Sequence, residues 1–196
     1  MEPVARMDVD EMGMGKRPAT YADLEELPPN MVGEIIDGEL YASPRPAMPH
    51  TKITTELATE LLGPFHRGRG GPGGWRIFIE PELHLHGNVL VPDFGGWRRE
   101  RLPKALKGAA VAVAPDWVCE ILSPSTEARD RANKLPTYAS EGVRHVWLID
   151  PELHTLEVFR LEGAHYVLLA TYIGDARVRA EPFEALELEL NALWGE

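Results

Sequence analysis

Residues 117–122 read Trp117-Val118-Cys119-Glu120-Ile121-Leu122, a short and almost wholly apolar run with a single charge at Glu120. Such a run reads as a strand buried on both faces, with Cys119 alternating to the side opposite Glu120. Downstream, a helix is expected from about Ser125 to Ser140, strained or kinked by Pro136. Val143 to Ile149 is a further apolar run, ended by Asp150-Pro151. Leu156–Leu161 and Tyr166–Tyr172 read as strands joined by a turn around Glu162-Gly163. Upstream, Val89 to Phe94 reads as a strand broken at Pro92, just before Asp93. Ile77, Ile79, Leu83 and Leu85 alternate with polar residues as one strand face requires. Loop 63–74 is punctuated by Gly and Pro.

Nearer the N-terminus, Ile53, Leu57 and Leu61 repeat at helical spacing from about His50 to Leu62. Asp37-Gly38 between Glu34-Ile35-Ile36 and Glu39-Leu40-Tyr41-Ala42 is a strong short-range hairpin signal. Thr20 with Asp23 predicts a capped short helix ended by Pro28-Pro29. Residues 1–18 read as a flexible leader and 19–196 as one domain. Strands clustered together with two or three helices make the fold class α+β.

The 44% hydrophobic and 26% charged fractions are those of a globular chain, and no apolar run approaches the length of a membrane span. One cysteine, Cys119, excludes an internal disulfide, and the expectation is a cytoplasmic protein. The net charge of −11 argues against a general nucleic-acid coat. Residues 1–17 sum to only −1, so DNA contact requires a local patch or a bound cation. Arg98, Arg99, Arg101, Lys104 and Lys107 against Glu100 form such a patch, and Arg67 with Arg69 a smaller one.

Asp93 and Glu120 resist a purely structural account, because a buried carboxylate costs several kcal/mol unless a cation or strong donors compensate it. Two acids on neighbouring strands facing one cleft would make a hard-oxygen site for Mg²⁺ or Mn²⁺, suited to metal-assisted phosphodiester hydrolysis. Lys134 lies on the following helix, sharing a face with Asp130 and Tyr138. It can return to the acids to orient or help deprotonate water, or simply pair with Asp130 on the surface.

Several ordered motifs resemble one family. They are Gly33-Glu34-Ile35-Ile36-Asp37-Gly38-Glu39-Leu40, His50 opening a helix, Pro92-Asp93, and Val118-Cys119-Glu120-Ile121-Leu122-Ser123-Pro124-Ser125. The series continues with Lys134-Leu135-Pro136-Thr137-Tyr138 and Gly142-Val143-Arg144-His145-Val146-Trp147-Leu148-Ile149-Asp150-Pro151. Together they look like the bacterial Uma-type restriction endonuclease family of the PD-(D/E)XK superfamily, over about residues 20–190. The resemblance implies a restriction-endonuclease-like core with a central mixed sheet flanked by helices, a bound divalent metal and a homodimer. It implies that Asp93 and Glu120 hold the metal and that Lys134 is the catalytic lysine, since the superfamily's usual lysine position falls at Leu122. Glu34, His50, Glu82 and Ser123 are secondary candidates.

The expected function is therefore a Mg²⁺- or Mn²⁺-dependent DNA endonuclease, contacting DNA through Arg98, Arg99, Arg101 and Lys104. Its alternatives are a catalytically inactive nuclease fold used for binding or assembly, motivated by the −11 charge and Leu122, and hydrolysis of another phosphoester. His84 and His86 lack the Cys or His companions of a transition-metal site. No Gly-x-Ser-x-Gly elbow and no Gly-Lys-Ser/Thr loop is present.

Overall fold

The computed structural model describes residues 17–102 and 108–195. The expected leader, except for its last two residues, and Lys104 and Lys107 of the basic segment lie outside them. Helix α1 (Tyr21–Glu25) opens the described chain, and Asp23 Oδ2 accepts from the Thr20 backbone N–H at 2.6 Å to cap it. Strands β1 (Met31–Ile36) and β2 (Glu39–Pro44) pair antiparallel across the Asp37-Gly38 turn. Both turn residues have positive φ, 52° and 78°, as a two-residue type I′ hairpin requires. Helix α2 (Met48–Leu61) buries Ile53, Leu57 and Leu61. It runs on through a π-type turn at Leu62–His66, so the expected loop begins as helix.

Strands β3 (Trp75–Ile79), β4 (Glu82–Leu85), β5 (Asn88–Leu90), β6 (Phe94–Arg98), β7 (Ala110–Val111) and β8 (Trp117–Ile121) follow. A helical segment then has three parts: α3 (Glu127–Arg129), a π-type turn at Asp130–Lys134, and α4 (Leu135–Ser140). The chain closes with β9 (His145–Asp150), β10 (Thr155–Glu162), β11 (His165–Ile173), the short pair β12 (Arg177–Val178) and β13 (Leu188–Glu189), and α5 (Asn191–Trp194).

Three local expectations are corrected. Ile77, Ile79, Leu83 and Leu85 do not share a strand: the chain breaks at Glu80-Pro81, where Glu80 has φ 47°, and β3 and β4 enter different sheets. Proline cannot donate to the ladder, and a two-residue break leaves a period of two in phase, so alternation does not report it. The strand read from Val89 to Phe94 stops at Leu90 and resumes at Phe94, which leaves Asp93 in the connection. The irregularity expected at Pro136 lies just before it: the helical segment widens into the π-type turn Asp130–Lys134 and returns to α-helix at Leu135-Pro136.

One mixed sheet has the order β11-β10-β9-β8-β6-β3, with only β8 and β9 parallel. A second has the order β2-β1-β5-β4-β7. Strand β8 serves two cores. Trp117, Cys119 and Ile121 join the cluster under α2 and the C-terminal segment. Val118 and Leu122 join the cluster formed with Ile36, Leu83 and Leu90 of the second sheet. Glu120 therefore faces the space between the two sheets. Among the described residues, no helix is long and apolar enough to cross a membrane.

Glycines ordinarily weaken a strand interior, yet β6 carries Gly95-Gly96 between Phe94 and Trp97. A Cβ on Gly96 would meet the Trp117 ring at 2.9 Å, and one on Gly95 would meet Pro81 and the Trp97 ring at 2.8 Å. Indole packing directly on backbone is what excludes a side chain here. Gly96→Ala should therefore destabilise the protein by about 1–3 kcal/mol. Urea unfolding should show a lower midpoint at unchanged slope; an unchanged midpoint would mean that the rings yield freely.

Candidate active site

Strands β6 and β8 pair antiparallel with Phe94 opposite Cys119, so the residue before β6 comes to the C-terminal part of β8. Asp93 Oδ2 accepts from the Ile121 backbone N–H at 2.6 Å, which fixes the loop carboxylate against the strand that carries Glu120. Its other oxygen, Oδ1, lies 2.9 Å from His50 Nε2 in the first turn of α2. Both acids line one cavity of about 400 Å³ together with Glu34, His50, Asp130 and Lys134.

The π-type turn presents Lys134 to this cavity. Its ammonium sits 2.8 Å from Glu120 Oε1, 3.0 Å from Glu34 Oε1 and 3.7 Å from Asp130 Oδ1. Glu34, Glu120 and Asp130 each keep 3% of their surface and Lys134 keeps 2%, so the pairing with Asp130 is no surface ion pair. The Tyr138 hydroxyl, one turn further along, donates to Glu120 Oε1 at 2.5 Å. Glu34 Oε1 also accepts from the Val91 backbone N–H at 2.9 Å. Arg129 approaches Glu34 Oε2 at 3.4 Å and donates to Ser43 Oγ at 3.1 Å.

Burial and charge set the proton affinities. Burial alone would pull the Lys134 ammonium down, but Glu120, Glu34 and Asp130 outweigh it, and its pKa is raised. The three acids thus favour the charged ammonium. Burial pushes Glu120 up, against the pull of Lys134, with Asp130, Asp93 and Glu34 adding repulsion. We take Lys134 and Glu120 as ammonium and carboxylate, because one lysine contacts three acids. Burial also raises Asp130, whose Oδ1 is buried without a hydrogen-bond partner. Three buried acids face two bases, Lys134 and Arg129, and burial favours the protonated form of Asp130 in answer to that imbalance. Burial would lower His50, but its hydrogen bond and charge interaction with Asp93 leave it raised.

The sequence candidates separate in space. Asp93, Glu120, Lys134, Glu34, His50 and Ser123 all line the cavity. Glu82 does not: its Oε1 accepts from the Tyr21 hydroxyl at 2.9 Å and pairs with His84 at 2.8 Å. Glu80 lines the cavity instead, because the turn before Pro81 carries it there. The arginines of the basic segment lie at the other end of β6, roughly 17 Å along an extended chain from Asp93. Arg98 stacks over the Trp75 ring at 4.1 Å, Arg99 donates to the His66 carbonyl at 2.6 Å, and Arg101 pairs with Asp116 at 2.7 Å.

Glu80, Arg129 and the tie from Tyr138 to Glu120 were missed in sequence. The proline after Glu80, mirroring the proline before Asp93, was the one available signal; Arg129 carries none. Among the described residues, no group of three or more His, Cys, Asp or Glu side chains is arranged to hold a metal ion. Asp93 and Glu120 remain a two-carboxylate donor set beside the further buried acids Glu34 and Asp130. That set suits a hard cation completed by water and phosphate oxygens.

Residues 18–192 match the Uma2 family, described as "Putative restriction endonuclease". The chain is similar to a crystal structure described as a putative nuclease belonging to DUF820 from Anabaena variabilis. The two share 26% sequence identity at a TM-score of 0.70, over 90% of this chain and 98% of that one. No curated protein matches the chain.

Asp130 yields a test of the charge imbalance. Its folded proton affinity lies above the ordinary value of 3.8, so the native state loses stability as pH rises from 3.8 to the folded value and loses no more above it. Asp130→Asn should raise the melting temperature at pH 7, and the gain should vanish below pH 3.8, where the acid is protonated folded and unfolded alike. A variant that melts lower than the parent at pH 7 would show that the aspartate stabilises the site.

Proposed function

The chain belongs to the Uma2 family, and on that premise we propose that it is a Mg²⁺- or Mn²⁺-dependent endonuclease that hydrolyses DNA phosphodiester bonds in the cytoplasm. The observation that carries this reading is the meeting of Asp93, from the connection before β6, and Glu120, from β8, in one cavity with the Lys134 ammonium. Asp93 and Glu120 are the residues that would hold the ion, which supplies a Lewis acid and a water of lowered pKa. The buried acids around the pair and the few protein ligands Mg²⁺ usually takes both support that assignment.

The chain's own residues then divide the work. Lys134, fixed by three carboxylates, presents a permanent positive charge beside the scissile phosphate and stabilises charge that develops in the transition state. Tyr138 and Glu34 hold Lys134 and Glu120 in register, and the Ile121 N–H and His50 hold Asp93. Arg129 and Arg45 line the cavity and suit the flanking phosphates. A DNA strand that continues along β6 would reach Arg98, Arg99 and Arg101, beyond the cavity. A homodimer would supply one such site per strand.

Purified protein should cut DNA with Mg²⁺ or Mn²⁺ and not with EDTA, and Asp93→Asn or Glu120→Gln should abolish cutting. Lys134→Met should lower kcat by roughly 10²–10³-fold, the cost of losing one preorganised charge donor. Calorimetry should show Mn²⁺ binding to the parent that Asp93→Asn removes. Equal residual cutting by parent and variants, with no Mn²⁺ uptake, would leave the binding-module reading in its place.

A further inference from the structure

Glu120 and Lys134, at 3% and 2% exposure, form the floor of the cavity beside Asp93. Its volume of about 400 Å³ lies in the range of small-ligand sites. A strand that has left the stack can bring a phosphate to that floor with an unstacked base against the walls, as in enzymes with enclosed nucleotide pockets.

The walls are apolar, and so are exposed side chains next to them in the chain. Pro44, Pro46, Pro49, Pro124 and Pro151 line the cavity and give it largely apolar sides. Met48 and Leu153, at 77% and 68%, are the two most exposed large hydrophobic side chains among the described residues. Both are chain neighbours of lining residues: Met48 stands between Ala47 and Pro49, and Leu153 follows Glu152. Ile79, 44% exposed, precedes the lining Glu80. Phosphates gain nothing from such side chains, whereas the faces of unstacked bases do, and Met, Leu, Ile and Pro are the wedges that hold base steps apart. Arg45 and Arg129, also lining, offer charge to the backbone and flat guanidinium faces to the bases.

We propose that the substrate is DNA unstacked at the scissile phosphate, as a single strand or a frayed junction, with Met48, Ile79 and Leu153 packed on its bases. The phosphate then descends between them to Asp93 and Glu120. This rests on the endonuclease reading and narrows its substrate class. The net charge of −11 fits it as well, since a long duplex laid across the surface would meet more acid than base.

The experiment compares a 5′-labelled single strand, a Y-shaped junction and a sealed hairpin duplex of the same sequence. It measures cutting in Mn²⁺ by the parent, and binding by fluorescence anisotropy to Glu120→Gln, for which no cutting is expected. The single strand and the junction should be cut and bound roughly tenfold better than the sealed duplex. A Met48→Ser/Leu153→Ser variant should lose about tenfold on the single strand with an unchanged thermal melt, whereas Met48→Leu/Leu153→Met should retain it. Equal cutting of sealed duplex and single strand, or a serine variant indistinguishable from the parent, overturns the proposal and leaves the nuclease reading standing. If nothing is cut, the nuclease reading falls. The anisotropy series then still decides: a preference for single strand that the serine pair removes supports the apolar contacts, and equal binding of both DNAs overturns them.

Discussion

A buried ammonium shared among three carboxylates governs the arrangement of this molecule. Lys134 can keep its charge in the interior only because Glu34, Glu120 and Asp130 surround it, and those acids come from β1, from β8 and from the π-type turn itself. Removing the lysine from such a cluster leaves its carboxylates without their shared countercharge in a low-dielectric space, at a cost of several kcal/mol. The cluster thereby joins the two sheets and the helical segment in one relative placement. Apolar packing alone tolerates small slips between sheets, and a three-way charge contact tolerates far less.

The π-type turn is part of the same constraint. An α-helix through residues 127–140 would put successive turns in strict register, whereas the wider turn at Asp130–Lys134 re-aims the chain just where the ammonium must reach two strands. Tyr138, in the regular helix beyond it, then closes on Glu120 from the same side. The strand breaks act in parallel. Pro81 and Pro92 end ladders beside the cavity and free Glu80 and Asp93 from alternation, so that both turn toward it.

Stability and chemistry pull against each other here. The cluster holds three buried acids against two bases, and Asp130 Oδ1 lies buried without a hydrogen-bond partner. Such features disfavour the folded state, and they persist where the surrounding structure over-determines them, which is typical of functional sites. The rest of the molecule is conventional by contrast: four indoles and Phe183 pack tightly in two clusters on either side of the six-stranded sheet.

Features that depend on near neighbours are legible in the residue order alone. Apolar flanks on both sides of Glu120 forced its burial, Asp37-Gly38 dictated the hairpin, and the spacing of Ile53, Leu57 and Leu61 defined the buried face of α2. The order of motifs along the chain also pointed to Asp93, Glu120 and Lys134, which the fold gathers in one cavity. Which residues meet across long separations follows from the folded chain alone. Glu34 reaches Val91, 57 residues away, and Glu80 rather than Glu82 enters the site. Periodicity is a local quantity: a two-residue break leaves alternation in phase, and no repeat along the chain records which side of a turn a carboxylate will face. That choice is made by sheet pairing and by the electrostatic demand of one buried lysine.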